Sequence, residues 1–168
     1  MRYFLVLYFL TLFVSCNSEN QLPKKNLKEI AREIIIASKN CALITVDDNG
    51  EANARAMDPF LPDENFTIWM ATNPKSLKVA QIKKNSKTTL YYFDAKNVSY
   101  VTLKGNSEIV NTKQLKDKFW KKEWKNFYKN RTTDYILIKF TPTKGNVISE
   151  KYKILGDSIT WKTPQLNF

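Results

Sequence analysis

The chain has 168 residues and not one histidine. Two cysteines, Cys16 and Cys41, are its only thiols. Without an imidazole, neither a Ser-His-Asp nor a Cys-His catalytic set can be built. A zinc site has too few nitrogen and sulfur ligands to form, so no metal ligands are assigned. If Cys16 is taken up by processing, as argued below, Cys41 has no partner for an internal disulfide. In the apolar run Cys41-Ala-Leu-Ile-Thr-Val46 it reads as a small buried hydrophobe. Acidic residues are also few: 16 Asp and Glu stand against 27 Lys and Arg, a formal charge of +11. Such a chain attracts anions, whether nucleic acid, anionic lipid or a phosphorylated ligand. With no candidate for a catalytic acid or base, any redox chemistry falls to a cofactor.

Long apolar runs are confined to the N-terminus. After Met1-Arg2, residues Tyr3 to Val14 form an uncharged apolar stretch. It is shorter than the roughly 20 residues of a membrane span but suits the core of a signal peptide. The stretch ends at Val14-Ser15-Cys16. A small residue before a cysteine, directly after such a core, resembles a bacterial lipobox, although Phe13 stands where that pattern prefers an aliphatic residue. The expectation is a signal peptide over residues 1–16, acylation of Cys16, a tether over 17–24, and one domain over 25–168. A plain secretory signal and an uncleaved anchor are the alternatives. The resemblance implies an exported lipoprotein of the cell envelope, periplasmic or surface-bound and held at the membrane by its lipid. Loss of residues 1–16 removes only Arg2, which leaves +10.

Periodicity organises the remainder. Leu27, Ile30, Ile34 and Ile35 predict a helix over 26–39, with Asn26 as cap and Glu29 completing a capping box. Strands 41–47 and 52–57 flank Asp48-Asn49-Gly50, a hairpin signal. After the loop 58–64, a strand over 66–72 leads into a helix over 74–84, with Asn73 as N-cap and Pro74 at its first position. Strands follow at 88–93 and 98–104, the second continuing through 107–110 with a bend at Gly105. A helix over 112–129 carries the stripe Leu115, Phe119, Trp120, Trp124, Phe127 and Tyr128. Strands 135–140 and 145–151 pair around Thr141-Pro-Thr-Lys144, and an irregular tail closes the chain. Hairpin-linked strands with two interior helices argue for a mainly β (α+β) fold, an antiparallel barrel with flanking helices.

The stretch Asn73-Pro-Lys-Ser-Leu-Lys78 carries the chemistry. A helix start offers free N–H groups and partial positive charge to an anion. Ser76 adds a hydroxyl and Lys78 a mobile cation, while Arg55 adds a fork that fits phosphate oxygens. Ordinary capping of a solvated helix is the plainer alternative.

In order along the chain, Arg55-Ala-Met57, Ile68-Trp-Met-Ala-Thr72, Ser76-Leu-Lys78 and Val101-Thr-Leu-Lys-Gly105 resemble the flavin-binding split-barrel superfamily. That superfamily includes pyridoxamine 5′-phosphate oxidase and the general stress protein 26 group. The resemblance implies a split β-barrel, an FMN cofactor and a homodimer. Arg55, Ala56, Met57, Met70, Ala71, Thr72, Ser76 and Lys78 would surround the FMN. Met70 and Ala71 would contribute backbone, and Trp161 from the tail would close over the cofactor of the partner subunit. The oxidase has an arginine where this chain has Leu77 and a flavin-contacting glutamine where it has Tyr100. Its motif for substrate phosphate has no counterpart in 113–129. The expectation is therefore an FMN-binding oxidoreductase of unknown substrate, nearer general stress protein 26 than the oxidase. A degenerate barrel holding haem or another flavin without turnover is the alternative. A basic interaction protein is the third reading, with the lysines of 113–129 as its surface. Nucleic acid is not expected as a partner, because an exported protein rarely meets it.

Overall fold

A computed structural model describes residues 25–168; the expected signal peptide 1–16 with Cys16 and the expected tether 17–24 lie outside the described residues. Helix α1 (Leu27–Ser38) opens with the expected capping box. Asn26 Oδ1 accepts from the Glu29 N–H at 3.0 Å, and Glu29 Oε2 accepts from the Asn26 N–H at 2.9 Å. Its apolar face, Ile30, Ala31, Ile34 and Ile35, is buried. Strands β1 (Cys41–Val46) and β2 (Ala52–Met57) form the expected hairpin, with Gly50 at φ 82° in the turn. Strand β3 (Ile68–Thr72), helix α2 (Leu77–Lys84), and strands β4 (Lys87–Asp94) and β5 (Ser99–Val110) follow. Next come helix α3 (Lys113–Lys118), a 3-10 turn at Lys122–Asn126, and strands β6 (Ile136–Ser149) and β7 (Gln165–Asn167).

All strands are antiparallel, in the order β2-β1-β4-β5-β6-β3. The long strand β6 carries β3 along its first half and β7 along its second. Inward side chains alternate, as a barrel requires. Leu43, Ile68, Met70, Leu90, Tyr92, Val101, Leu103, Ile138, Phe140 and Val147 close a core beneath α1. Since β2 and β3 end the strand order without pairing to each other, the barrel is split between them.

Three expectations need correction. One strand, β6, replaces the expected pair 135–140 and 145–151, because Thr141-Pro-Thr is a bulge and not a turn. The register slips between Lys104 and Gly105 so that Lys104 faces Lys144 and Gly105 faces Pro142. Thr143 is thereby extra, and its Oγ1 donates to the Lys104 carbonyl at 3.1 Å. A bulge tolerates Pro142, which has no N–H to give the ladder. Second, 112–129 is not one helix: α3 stops at Lys118 and a 3-10 turn follows. Burial of the aromatics outweighs helix continuity. Trp124 and Tyr135, with Phe60, Trp69, Phe119, Trp120 and Tyr128 packed about them, build a second cluster on the outer face of β3 and β6. Trp69 stacks on Phe119 at 4.4 Å between ring centres, and Trp124 Nε1 donates to Asp58 Oδ2 at 2.8 Å. Third, the tail is not wholly irregular, since β7 buries Leu166 in the main core. Among the described residues no helix is long and apolar enough to cross a membrane.

Candidate functional site: a cationic cleft in the barrel split

Helix α2 lies over one mouth of the split. Its N-cap is Ser76, at φ −73° and ψ 144°, rather than the expected Asn73. Asn73 closes a separate turn instead: its Oδ1 accepts from the Lys75 N–H at 2.9 Å and its carbonyl from the Ser76 N–H at 3.1 Å. Lys78 therefore stands at the second helical position and Ser76 just before the first. The N–H groups of Leu77 and Lys78 have no intrahelical acceptor, as at any helix start. The Ser76 hydroxyl makes no cap bond and lies 3.0 Å from Thr72 Oγ1. Lys78 Nζ donates to the same Thr72 oxygen at 3.2 Å.

Arg55 reaches this place from β2. One guanidinium nitrogen donates to Thr45 Oγ1 at 2.5 Å and to the Asn53 carbonyl at 3.0 Å, and the other donates to Gln81 Oε1 at 3.1 Å. Thr45 in turn donates to Gln81 Oε1 at 2.6 Å. Gln81 follows Lys78 by almost one turn of α2, so a helix that packs Val79 and Ile82 inward aims Lys78 and Gln81 at the cleft. Thr45 and Thr72 are buried.

Both cations are held at a cost. Burial lowers the Lys78 pKa below its ordinary value, and the nearby Arg55 charge lowers it further. Burial likewise lowers that of Arg55. Among the described residues neither forms a salt bridge with a carboxylate. Two half-buried like charges flanked by donor hydroxyls make a receptor for an anion with several oxygens.

Arg55, Thr72, Ser76 and Lys78 thus come together, while the other expected residues divide by strand alternation. Met57 shares the inward face of β2 with Arg55 and is buried, whereas Ala56 is exposed on the outer face. Met70 is a core side chain, and Ala71 faces the aromatic cluster beside Trp69. Only their backbone is available to a ligand. Trp161 lies in a surface loop, 83% exposed, and makes no contact with the cleft within one chain. Thr45, Asn53 and Gln81, which orient Arg55, were not read from the sequence. One signal was there: in Cys41-Ala-Leu-Ile-Thr-Val46, Thr45 is the polar member of the inward set Cys41, Leu43, Thr45.

An antiparallel split barrel with a cationic cleft at one mouth defines the class. The chain belongs to the pyridoxamine 5′-phosphate oxidase-like family, whose model matches residues 25–160. Among solved structures it is similar to a Clostridium acetobutylicum protein related to general stress protein 26 of Bacillus subtilis. They share 24% identity over 83% of this chain and 93% of that one, with a TM-score of 0.70. General stress protein 26 of Bacillus anthracis shares 24% identity over 86% of this chain and all of its own, with a TM-score of 0.67. A pyridoxamine 5′-phosphate oxidase-related, FMN-binding protein of Nostoc punctiforme matches at 9% identity over 83% and 91%, with a TM-score of 0.61. Likeness at these identities shows the shared fold. No curated protein matches the chain in sequence.

Proposed function

We propose that the cleft binds the phosphate of FMN and that the protein is a flavoprotein of this family, an oxidoreductase whose substrate is unassigned. The observation that carries the reading is the meeting of Lys78 with the Thr72 and Ser76 hydroxyls beside an Arg55 that Thr45 and Gln81 hold, neither cation forming a salt bridge among the described residues. Arg55 and Lys78 would hold phosphate oxygens, and the Leu77 and Lys78 N–H groups would add backbone donors. The isoalloxazine would lie along the split, against the Arg55–Met57 edge of β2 and the backbone of Met70 to Thr72. When bound, FMN supplies hydride or electron transfer. The chain's own work is to clamp the phosphate and shelter the ring.

Ala42, Ala54, Ala56, Tyr91 and Phe93 line an exposed, largely apolar stretch of sheet, with Phe93 50% exposed. We assign it to a second copy of the chain in a homodimer, beside the same β2 edge. Export and anchoring through an acylated Cys16 complete the reading and rest on residues 1–16 alone.

The test is a titration of the purified protein with FMN, riboflavin and inorganic phosphate, followed by flavin fluorescence and the visible spectrum. FMN is expected to bind far more tightly than riboflavin, with phosphate competing. Equal affinity for the two flavins would remove the phosphate clamp, and no flavin binding would remove the cofactor. A second reading, a barrel that binds another anionic planar ligand without turnover, is favoured by Leu77. This apolar side chain is 76% exposed beside the cleft, where the oxidase has a cation. Under that reading phosphate still binds and FMN does not.

A further inference from the structure

The segment from Lys151 to Lys162 is unlike the rest of the surface. Leu155, Ile159 and Trp161 are 57%, 87% and 83% exposed, and Lys151, Lys153 and Lys162 are exposed among them. Monomeric proteins show scattered surface apolar residues but seldom three of this size on one tight loop. The loop is well built nonetheless. Asp157 Oδ1 accepts from the N–H groups of Ile159 and Thr160 and from the Thr160 hydroxyl, at 3.1, 2.7 and 2.8 Å. The Trp161 N–H donates to the Asp157 carbonyl at 2.9 Å, and the Asp157 N–H donates to the Lys162 carbonyl at the same distance. The one acidic side chain inside the segment is thus spent on the loop itself; Lys151 pairs with Glu33 at 3.7 Å, while Lys153 and Lys162 are exposed and form no salt bridge among the described residues.

Position gives these exposed residues a partner. Tyr152 donates to Glu33 on α1, and Lys25 pairs with the same carboxylate. Lys25 Nζ also lies 5.6 Å from the centre of the Tyr152 ring. The loop therefore leaves the domain where the tether joins it. A Cβ placed on Gly156 would lie 3.5 Å from the Trp161 carbonyl, so the Trp161 backbone lies within about 22 Å of Tyr152, four residue steps and that contact away. Nine residue steps separate Cys16 from Lys25, about 32 Å at full extension. A lipid on Cys16 would hold this end of the domain at the bilayer surface.

We propose that the 151–162 loop docks on the anionic surface of the membrane that holds the lipid anchor. Trp161, Ile159 and Leu155 enter the interfacial layer, and Lys153 and Lys162 meet anionic headgroups. The inference rests on the anchored reading given above for its geometry but not for its chemistry. Tryptophan favours the interface because its ring is apolar and its N–H polar. Each lysine near such a surface strengthens binding about fivefold. Docking orients the domain against the bilayer to which the acylated Cys16 would hold it.

The experiment uses the full chain reconstituted in vesicles with brominated acyl chains, of phosphatidylcholine alone or mixed with phosphatidylglycerol. Tryptophan emission and flotation are both read. Quenching is expected in the phosphatidylglycerol vesicles, to be lost in Trp161→Phe and to weaken at least ~25-fold in apparent affinity in the Lys153→Glu, Lys162→Glu pair. Flotation on phosphatidylcholine alone reports the anchor separately. A chain that fails to float there refutes the anchor, and quenching of the soluble chain by phosphatidylglycerol vesicles at low salt still decides the loop. Absence of Trp161-dependent quenching with phosphatidylglycerol in either case overturns the proposal. So does a Trp161→Phe protein with lowered FMN affinity and unchanged quenching, which would give Trp161 to the cofactor.

Discussion

Replacing Lys78 with methionine separates phosphate binding from folding. The side chain donates one bond, to Thr72 Oγ1 at 3.2 Å, and its charge is disfavoured by burial and by Arg55. Methionine preserves most of the stem. Thr72 keeps its partner, since Ser76 Oγ lies 3.0 Å away. The empty protein should therefore be as stable as the parent or gain up to about 1 kcal/mol. Ligand binding should respond in the opposite sense. A charge-assisted bond to phosphate contributes about 1.5–3 kcal/mol, so FMN affinity should fall roughly 10- to 150-fold. Riboflavin, which lacks the phosphate, should be unaffected. A pH series adds a second reading. The phosphate gains its second charge near pH ~6, so FMN binding by the parent rises there. It then falls as Lys78 loses its proton, at a pH below the ordinary 10.5 because the folded-state pKa is lowered. Over that same window the unfolded chain binds more protons, so the stability of the empty parent rises with pH. The high-pH fall in binding and this rise in stability should be missing from Lys78→Met. The assays are fluorescence titration with each flavin and urea unfolding of the ligand-free proteins. Equal loss of FMN and riboflavin binding would refute the reasoning, as would a clear loss of stability in the empty variant.

Gly105→Ala should destabilise by about 3–5 kcal/mol in urea unfolding, because its Cβ would lie 2.1 Å from the Thr141 carbonyl oxygen and 2.7 Å from Pro142 Cα. These are backbone atoms of the bulge and have nowhere to move, so a neutral result would mean the bulge is absent. Tyr92→Phe should be neutral or stabilising by up to about 1 kcal/mol: the buried hydroxyl has no hydrogen-bond partner among the described residues. A marked loss would reveal a real bond to the neighbouring Cys41 thiol, which burial pushes up to about 12. Leu166→Ala should cost about 2–5 kcal/mol by thermal or urea unfolding, since β7 places this side chain in the main core. An effect below 1 kcal/mol would mean the tail is not docked.

Local signals were most readable where one interaction decided the outcome. The capping box at Asn26 and Glu29 and the Asp-Asn-Gly turn each bring their partners within a few residues, so spacing alone defines them. Reading failed where distant partners decide. Thr141-Pro-Thr has the composition of a turn, but the slip at Gly105 lets β6 run through it. That slip depends on a residue thirty-six positions earlier. The aromatic stripe of 112–129 has helical spacing, yet its side chains answer to Trp69, Phe60 and Asp58 on other elements. Its lysines pack among the aromatics as well. Lys116 is buried over Tyr135, and Lys121 lies over Phe60 and Trp124.

The cleft shows the same division. Ser76 and Lys78 were legible because a helix start is a local event, and Arg55 because a family pattern names it. The frame that aims Arg55 was not, because Thr45, Asn53 and Gln81 meet only after β1, β2 and α2 assemble. That frame also explains why the cations persist without a counter-charge. Guanidinium donors satisfied by Thr45, Asn53 and Gln81 are fixed without a carboxylate, so the positive field remains available to a ligand. A carboxylate at Gln81 would pair with Arg55 directly, quench that field and raise the pKa of Lys78 toward its ordinary value. The neutral amide instead gives geometry without neutralisation, and charge balance is left to whatever anion enters the split.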